Sequence, residues 1–343
     1  MYAVLTAMAE DRIGPGEGSR LLLNVAKEYL HYDYALSLRS PAIALNLALK
    51  ALNPEKGQAV IISALSPRYY ANVIQDMGLC PLYCDVSLTF PCMSRETIEQ
   101  ALSAKIDGNK ALCIVLHHTL GFLPDTASIA EIGLPVIEDI SRSFGVFSGA
   151  DKAENGQAEL NLPKERVRGV FTFLGLEERD MLTAGGGALL YVNSRRDSSL
   201  LRNYAELPPE YCLPDINAAL AVVQFREAQR NAEKRAAIAQ VYIQSSLRTR
   251  HKRFIPLDDQ EYNNFAFPLV LESGLKDVLA YARKKEIILE SAFENTLAGA
   301  FLNDALDCPA SYSLSLRTVL FPLYPRLCSA DTERVSKLIV TLP

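Results

Sequence analysis

Acidic residues are concentrated in one short segment that could carry out proton-transfer chemistry. Glu177, Glu178 and Asp180 flank Arg179, and Asp139 follows an apolar run earlier in the chain. Two carboxylates in one pocket can act as general acid and base, and such a pocket could also bind a sugar or a cationic ligand. A run of charges is more often a solvated loop, so the sequence favours that interpretation and leaves the pocket as the alternative.

Other polar residues join this set because of their positions after predicted strands. Ligands of an open α/β sheet lie beyond the carboxyl ends of its strands. His118, Asp139 and Arg142 each follow an apolar run closely, so they could line a polar pocket with the acidic segment. For His117 and His118, which both follow an apolar run, a hydrogen-bonded structural role is the commoner outcome.

Hydrophobic periodicity places these residues on a layered α/β sheet. Short apolar runs alternate with helical patterns over residues 35–192, which predicts strands joined by crossover helices. The predicted strands are 35–38, 59–62, 81–84, 113–116, 135–138, 169–173 and 188–192. Ser40 can cap a helix that begins at Pro41. The polar stretch 148–166 is predicted to be an exposed loop.

The second half of the chain predicts a smaller unit joined by a long helix. A run rich in strong helix formers extends from Asp215 to about Tyr242. Apolar runs at 265–271 and 286–290 and helical patterns at 274–285 and after Ser329 predict an α+β unit. We therefore expect a large domain over 1–242, with an N-terminal helical segment, and a small C-terminal domain over 243–343.

Composition excludes several classes of protein. The 343 residues are 49% apolar with a net charge of -5, and no segment concentrates Lys and Arg, which argues against a nucleic-acid partner. The longest apolar runs, such as 111–116, fall short of the roughly 20 residues that a membrane span needs. Seven scattered cysteines and four histidines predict reduced thiols and no metal site, as expected of a cytoplasmic protein.

The order of the motifs resembles that of the DegT/DnrJ/StrS-type sugar aminotransferases. Its most specific pieces are LPVIED at 134–139 and FPLYPRL at 321–327. The resemblance implies a type I PLP-transferase-like three-layer sandwich, in which a mostly parallel central sheet of about seven strands is followed by a small α+β domain. It also implies pyridoxal phosphate (PLP) or pyridoxamine phosphate as cofactor, a nucleotide-linked sugar as ligand, and a homodimer.

The same resemblance assigns roles by position. Asp139 falls where the family has the carboxylate that pairs with the pyridine nitrogen of PLP, although a helix N-cap role is equally open. Thr172 falls where the family directs a serine hydroxyl at the cofactor phosphate, and a simple strand residue is the commoner alternative. The Schiff-base lysine maps to Glu177 or to Asp180, depending on the direction of alignment, and residues 171–190 contain no lysine.

Other cofactor contacts of the family also differ. Ser40-Pro41-Ala42 replaces the Ser-Gly-Thr that cradles the phosphate, which removes one backbone N–H and one hydroxyl. Pro67 replaces the aromatic residue that stacks on the PLP ring. Glu210 replaces an asparagine that reaches a phosphate across the dimer, and its charge would repel that phosphate.

These departures lead to three hypotheses. The first is a non-catalytic homologue that takes no cofactor and binds a sugar, a nucleotide sugar or an intact, lysine-bearing relative. The second is a pyridoxamine-phosphate-dependent sugar dehydratase or aminotransferase-like enzyme without a covalent lysine link, in which Glu177 would act as the base. The third is an ordinary aminotransferase whose lysine comes from elsewhere in the chain. The departures favour the first hypothesis and rank the third last.

Overall fold

A seven-stranded sheet organises the first part of the chain. The computed structural model describes residues 2–11, 13–105, 110–145, 169–257, 262–272, 274–300 and 307–343, so the predicted loop at 148–166 lies outside the described residues. The strands are β1 Tyr34–Leu38, β2 Ala59–Ser63, β3 Cys80–Cys84, β4 Ala111–His117, β5 Val136–Asp139, β6 Phe171–Gly175 and β7 Ala188–Val192.

The topology of this sheet is mostly parallel. The strand order is β1-β7-β6-β5-β4-β2-β3, and only β7 runs antiparallel to its neighbours β1 and β6. This confirms the predicted α/β fold with about seven strands. The carboxyl ends of β2, β4, β5 and β6 meet at one edge, so residues that follow these strands can converge there.

Helices cover both faces of the sheet. In the large domain they are α1 Tyr2–Ala9, α2 Glu17–Leu30, α3 Pro41–Ala51, α4 Tyr69–Asp76, α5 Arg95–Lys105, α6 Thr126–Ala130, α7 Arg195–Arg202 and the long α8 Asp215–Ser246. One buried cluster joins α3 and α4 to inner residues such as Val60 and Val115. Another packs α2 and α8 against Leu174 and Leu189. Each face of the sheet therefore has its own core.

Local sequence explains where α3 begins. Ser40 has extended backbone and its Oγ accepts a hydrogen bond from the Ile43 N–H at 3.3 Å, which makes it the N-cap. Pro41 occupies the first helical position, where no intrahelical N–H donor is needed. Leu45 and Leu49 are fully buried on the face that the periodicity predicts.

A three-stranded antiparallel sheet forms the core of the C-terminal unit. Its strands are β8 Phe267–Val270, β9 Glu290–Ser291 and β10 Thr318–Phe321, in the order β8-β10-β9, and its helices are α9 Leu275–Lys284, α10 Leu297–Ala300, α11 Pro309–Arg317 and α12 Ser329–Val340. The long helix α8 contributes Ile238 and Tyr242 to this core. The same helix therefore packs into the cores of both units.

The structure differs from the sequence prediction at the run 286–290. Glu286 has a left-handed backbone with φ of 58°, and the Ile288 side chain is 82% exposed. Only Glu290 of this run enters a strand, because the chain must first turn after α9 before it can pair with β10. The prediction of a strand over 286–290 is therefore wrong.

Two features are absent from the described ranges. No helix there combines the length and the apolar composition that crossing a bilayer requires. In the same part of the chain, no group of three or more His, Cys, Asp or Glu is arranged to hold a metal ion.

Candidate functional site

Asp139 is the centre of a buried hydrogen-bond network at the end of β5. Its Oδ2 accepts hydrogen bonds from the Tyr70 hydroxyl at 2.5 Å and from His117 Nδ1 at 3.0 Å. Its Oδ1 accepts a hydrogen bond from the Ser141 N–H at 2.9 Å and another from the Ser141 hydroxyl. Four donors from α4, β4 and the turn after β5 thus hold one carboxylate.

This network fixes the charge of its members. Burial alone would raise the pKa of Asp139, but the hydrogen bonds from His117, Ser141 and Tyr70 outweigh burial and lower it to about 2. Burial lowers the pKa of His117, so its neutral ring donates through Nδ1. Burial and the charge of Asp139 raise the pKa of Tyr70. Near neutral pH, the network therefore carries a single negative charge, on Asp139.

One ring nitrogen of this network has no partner among the described residues. With Nδ1 donating to Asp139, His117 Nε2 is left as a buried acceptor, and no described residue donates to it. The buried Thr172 Oγ1 on β6 is likewise without a hydrogen-bond partner among the described residues. The two atoms lie on opposite faces of the sheet, because Thr172 is in register with Glu138 and Tyr191, whereas His117 is in register with Asp139. Buried polar atoms are almost always paired, so His117 Nε2 is the atom that could pair with a ligand beside Asp139.

Asp180 brings a second carboxylate to the same edge of the sheet. Its Oδ2 accepts a hydrogen bond from the Glu177 N–H at 2.9 Å. Although the residue is partly exposed, its carboxyl group is desolvated; this burial and the charge of Asp139 raise the pKa of Asp180 to about 7. The segment that contains it is therefore not simply a solvated charged loop: Glu178 and Arg179 are exposed, whereas Asp180 points inward.

A cavity of about 660 Å³ lies beside Asp180, between the large domain and the C-terminal unit, and Asp139 lies outside its lining. Pro67, Leu120, Arg142 and Asp180 line it from the large domain, and residues 286–292 and 320–324 line it from the other side. Arg142 lies over the Phe265 ring, with its guanidinium carbon 5.5 Å from the ring centroid, and it forms no ion pair with a described residue. The volume suits a ligand of several hundred cubic ångströms. The guanidinium of Arg142 favours a ligand that carries an anionic group.

The structure separates the residues that the sequence grouped together. Three of the nine candidates, Pro67, Arg142 and Asp180, line the cavity. The other six lie outside its lining: Ser40, Ala42, His118, Asp139, Thr172 and Glu177. Of these, Asp139 is linked to Asp180 electrostatically, whereas Ser40 caps α3 and Ala42 is the second residue of that helix.

His118 and Glu177 point to other partners. His118 is fully buried, with Nδ1 2.6 Å from Ser143 Oγ and Nε2 3.4 Å from Glu138 Oε2. Glu177 Oε1 accepts a hydrogen bond from the Gly187 N–H at 3.4 Å and does not line the cavity. Their side chains therefore stabilise the local structure around the site.

Sequence reasoning left three members of the Asp139 network out of the candidate site, although His117 is hydrogen-bonded as expected. Ser141 lies two residues after Asp139, and His117 ends β4 beside β5, so the strand-end rule could have paired both with the carboxylate. Tyr70 gave no such signal, because it belongs to a helical pattern whose apolar residues are expected to face the core.

With the fold and site defined, the chain can be placed among known proteins. A family model described as the DegT/DnrJ/EryC1/StrS aminotransferase family matches residues 1–160 and 182–340. The chain therefore belongs to this family. The unmatched segment between the two ranges contains both Glu177 and Asp180, the two positions to which the family's lysine maps.

Individual relatives are distant. GDP-perosamine synthase from Escherichia coli O157:H7 is 26% identical over 237 residues, which cover 64% of this chain but only 60% of the synthase. Spr1654 from Streptococcus pneumoniae, a candidate sugar aminotransferase, is 16% identical in its PLP form, with a TM-score of 0.84 over 99% of this chain and 94% of that one. A mutant of GDP-4-keto-6-deoxymannose-3-dehydratase (ColD) with bound GDP-perosamine is 14% identical, with a TM-score of 0.80 over 98% and 96% of the two chains. The structural matches establish the type I PLP-transferase-like fold.

These findings correct the prediction about the cofactor. Solved structures of the same fold include a PLP form and a pyridoxamine-phosphate (PMP) form of Spr1654, and the family model is that of an aminotransferase family. The prediction that the chain takes no cofactor is therefore wrong, because both findings point to PLP chemistry.

Proposed function

We propose that this chain is a vitamin-B6-dependent enzyme that acts on a nucleotide-linked sugar and holds its cofactor without a covalent lysine link. The non-catalytic interpretation has less support, since nothing in the comparisons indicates a loss of activity. A dehydratase or aminotransferase-like reaction agrees with the family and with the names of two relatives, GDP-perosamine synthase and the dehydratase ColD.

Asp139 is the observation that carries this proposal. A buried carboxylate with a pKa of about 2 stays ionised, and this is the state that keeps a proton on a pyridine nitrogen. When bound, the cofactor would supply an electron-accepting ring. The chain supplies the fixed negative charge of Asp139 and, beside it, His117 Nε2, a buried acceptor without a partner among the described residues.

The segment to which the family's lysine maps fits a cofactor that is bound without a covalent link. The segment 171–190 contains carboxylates but no lysine, and a carboxylate cannot form a Schiff base. Pro41 lowers the number of N–H donors at the start of α3, and Pro67 offers no aromatic face. A cofactor at this site would therefore be held without a covalent bond, and because it has fewer N–H donors and no aromatic stacking partner, the charge of Asp139 would carry more of its binding.

Arg142 is suited to contact the substrate. Its guanidinium lies over Phe265 at the cavity wall and has no carboxylate partner in the described ranges. The other inward arginine, Arg235, already donates to the carbonyl oxygens of Phe265 and Leu323 at 2.8 and 2.9 Å. We infer that Arg142 binds an anionic oxygen of the sugar nucleotide, since guanidinium groups pair well with phosphate.

Titration with the two cofactor forms tests the proposed function. Purified protein is mixed with PLP or PMP, and the visible spectrum and melting temperature are followed. A ligand that binds only the folded state raises the melting temperature, so a rise without a borohydride-trapped lysine adduct supports the proposal. No change with either compound, or a trapped lysine adduct, would contradict it.

A further inference from the structure

Asp180 lines the cavity and has one carboxylate oxygen without a donor among the described residues. Its Oδ2 accepts the Glu177 N–H, whereas no described residue donates to its Oδ1. The residue lines the cavity wall near Arg142 and Pro67. One oxygen therefore fixes the orientation of the side chain, and the other can bind a ligand.

The glycine at the end of β6 lets Asp180 approach the Asp139 network. A Cβ placed on Gly175 would lie 2.3 Å from Asp180 Oδ2 and 2.8 Å from Ser141 Oγ. The same Ser141 hydroxyl donates to Asp139 and accepts from the Gly175 N–H at 2.7 Å. Any other residue at this position would force the two carboxylates apart.

The charges around Asp180 favour a cation beside it. Asp139 from β5, Glu177 from its own loop and Arg142 from the turn after β5 act on its carboxyl group, and the Tyr69 hydroxyl faces it from α4. Burial and Asp139 raise the pKa of Asp180 to about 7, and Arg142 offsets only part of this. A bound cation would relieve the repulsion between the two carboxylates.

Glu177, the alternative residue at this place in the sequence, does not offer the same contact. Its Oε1 accepts from the Gly187 N–H, and the residue lies outside the cavity lining. Of the two residues to which the family's lysine maps, Asp180 is therefore the one that lines the cavity.

We infer that Asp180 binds the amino group of the cofactor as an ion pair, so that the site selects pyridoxamine phosphate over PLP. This inference rests on the proposed function. The amino form carries an ammonium group that a carboxylate can pair with, whereas the aldehyde form carries no positive charge at the same position. The ion pair therefore retains the cofactor, as a covalent bond to a lysine would do in an ordinary aminotransferase.

Binding measurements on three proteins test this inference. Dissociation constants for PMP and for PLP are measured by calorimetry with the wild type, Asp180→Asn and the control Glu178→Gln, which removes the charge of a neighbouring exposed carboxylate. We expect the wild type and the control to bind PMP at least tenfold more tightly than PLP, and Asp180→Asn to bind the two equally. Melting curves without ligand establish that each variant is folded.

The pH dependence gives a second measurement. Pairing with an ammonium requires the ionised carboxylate, so PMP affinity should rise by up to tenfold per pH unit below about pH 7 and level off above it. Asp180→Asn should lack this rise.

The outcomes separate the inference from the proposed function. If neither compound binds the wild type, the proposed function fails. If both bind with equal affinity, or if Asp180→Asn keeps the preference, the inference about Asp180 is wrong and the proposed function stands.

Discussion

Tyr70 competes with any ring nitrogen for Asp139. All four acceptor positions of the carboxylate are filled by the Tyr70 hydroxyl, His117 and the two Ser141 donors. A pyridine nitrogen must displace one of these donors, and the tyrosine hydroxyl is the one on a separate helix. We predict that Tyr70→Phe binds PMP several-fold more tightly than the wild type, because one competing hydrogen bond is gone.

A matched control for this variant is Tyr83→Phe on β3. Tyr83 is half-buried and has no hydrogen bond to Asp139. Fluorescence or calorimetric titration with PMP should show no change for Tyr83→Phe. Weaker binding in Tyr70→Phe would mean that the hydroxyl supports the cofactor site and does not compete with the cofactor.

Asp180 should make the stability of the ligand-free protein depend on pH. Its folded-state pKa of about 7 lies above the roughly 3.9 of an unfolded aspartate, so the folded protein holds this proton more tightly. The stabilisation is fully present below about pH 4 and is lost as pH rises through 7. We predict that Asp180→Asn gains free energy of unfolding relative to the wild type between pH 5 and 8, measured by urea unfolding.

The comparison between the two proteins isolates this group, because all other titrating residues are shared. A difference in unfolding free energy that stays constant from pH 5 to 8 would show that Asp180 titrates with an ordinary pKa. The sequence identified Asp180 as one of two positions for the family's lysine, but it could not show that Gly175 allows close approach to the Asp139 network.

At the scale of elements, the polar residues that follow the strands were more predictable than the exact bounds of the strands. The strand-end rule identified Asp139 and Arg142, because parallel strands bring their carboxyl ends to one edge. The predictions for β5 and β6 began one and two residues early, since residues without a polar side chain also stand just before each strand. The short strand β10 at Thr318–Phe321 was not predicted, because it follows α11 directly without a loop.

Asp215 joins the beginnings of two helices. The first residue of α8, it accepts hydrogen bonds from the Gly16, Gly18 and Ser19 N–H groups at 2.9 to 3.0 Å, at the start of α2. A Cβ on Gly18 would lie 2.8 Å from the Asp215 side chain, so the close approach needs glycine there. The carboxylate therefore holds α2 against α8 through donors that would otherwise be unpaired.

We predict that Asp215→Ala lowers the free energy of unfolding by about 2–3 kcal/mol, because three partly buried N–H groups lose a charged acceptor. Chemical denaturation measures this loss. Glu227→Ala, an exposed position on the same helix, is the control and should change stability by less than about 0.5 kcal/mol. Equal effects of the two substitutions would argue against this role for Asp215.

At the scale of the whole molecule, the two units are connected by more than the ion pair at the cavity. Arg179 and Glu290 lie 3.1 Å apart across the cavity, but both side chains are more than half exposed, so this pair contributes little to stability. Arg235 of α8 instead donates to carbonyl oxygens before β8 and after β10. The cavity walls are therefore held together by α8 more than by the exposed ion pair.

The surface of the large domain suggests a second copy of this chain as partner. Exposed apolar side chains lie on three helices, and α1 and α2 both contact α8. These side chains are Leu5, Met8, Leu21, Leu220 and Val223, and they are between 36% and 54% exposed. Single exposed apolar residues are common on any surface, but several on packed helices are typical of an interface. We propose that these helices form the homodimer that the family resemblance implies.

We predict that the protein sediments at twice its 37.8 kDa chain mass at micromolar concentration, and that the double variant Leu220→Glu, Val223→Glu sediments as a monomer. Two carboxylates facing their symmetry-related copies would repel and would lose apolar contact area. Leu316→Glu, an equally exposed position on α11 of the C-terminal unit, should leave the mass unchanged. A monomeric wild type would contradict the dimer, and a dimeric double variant would place the interface on another face.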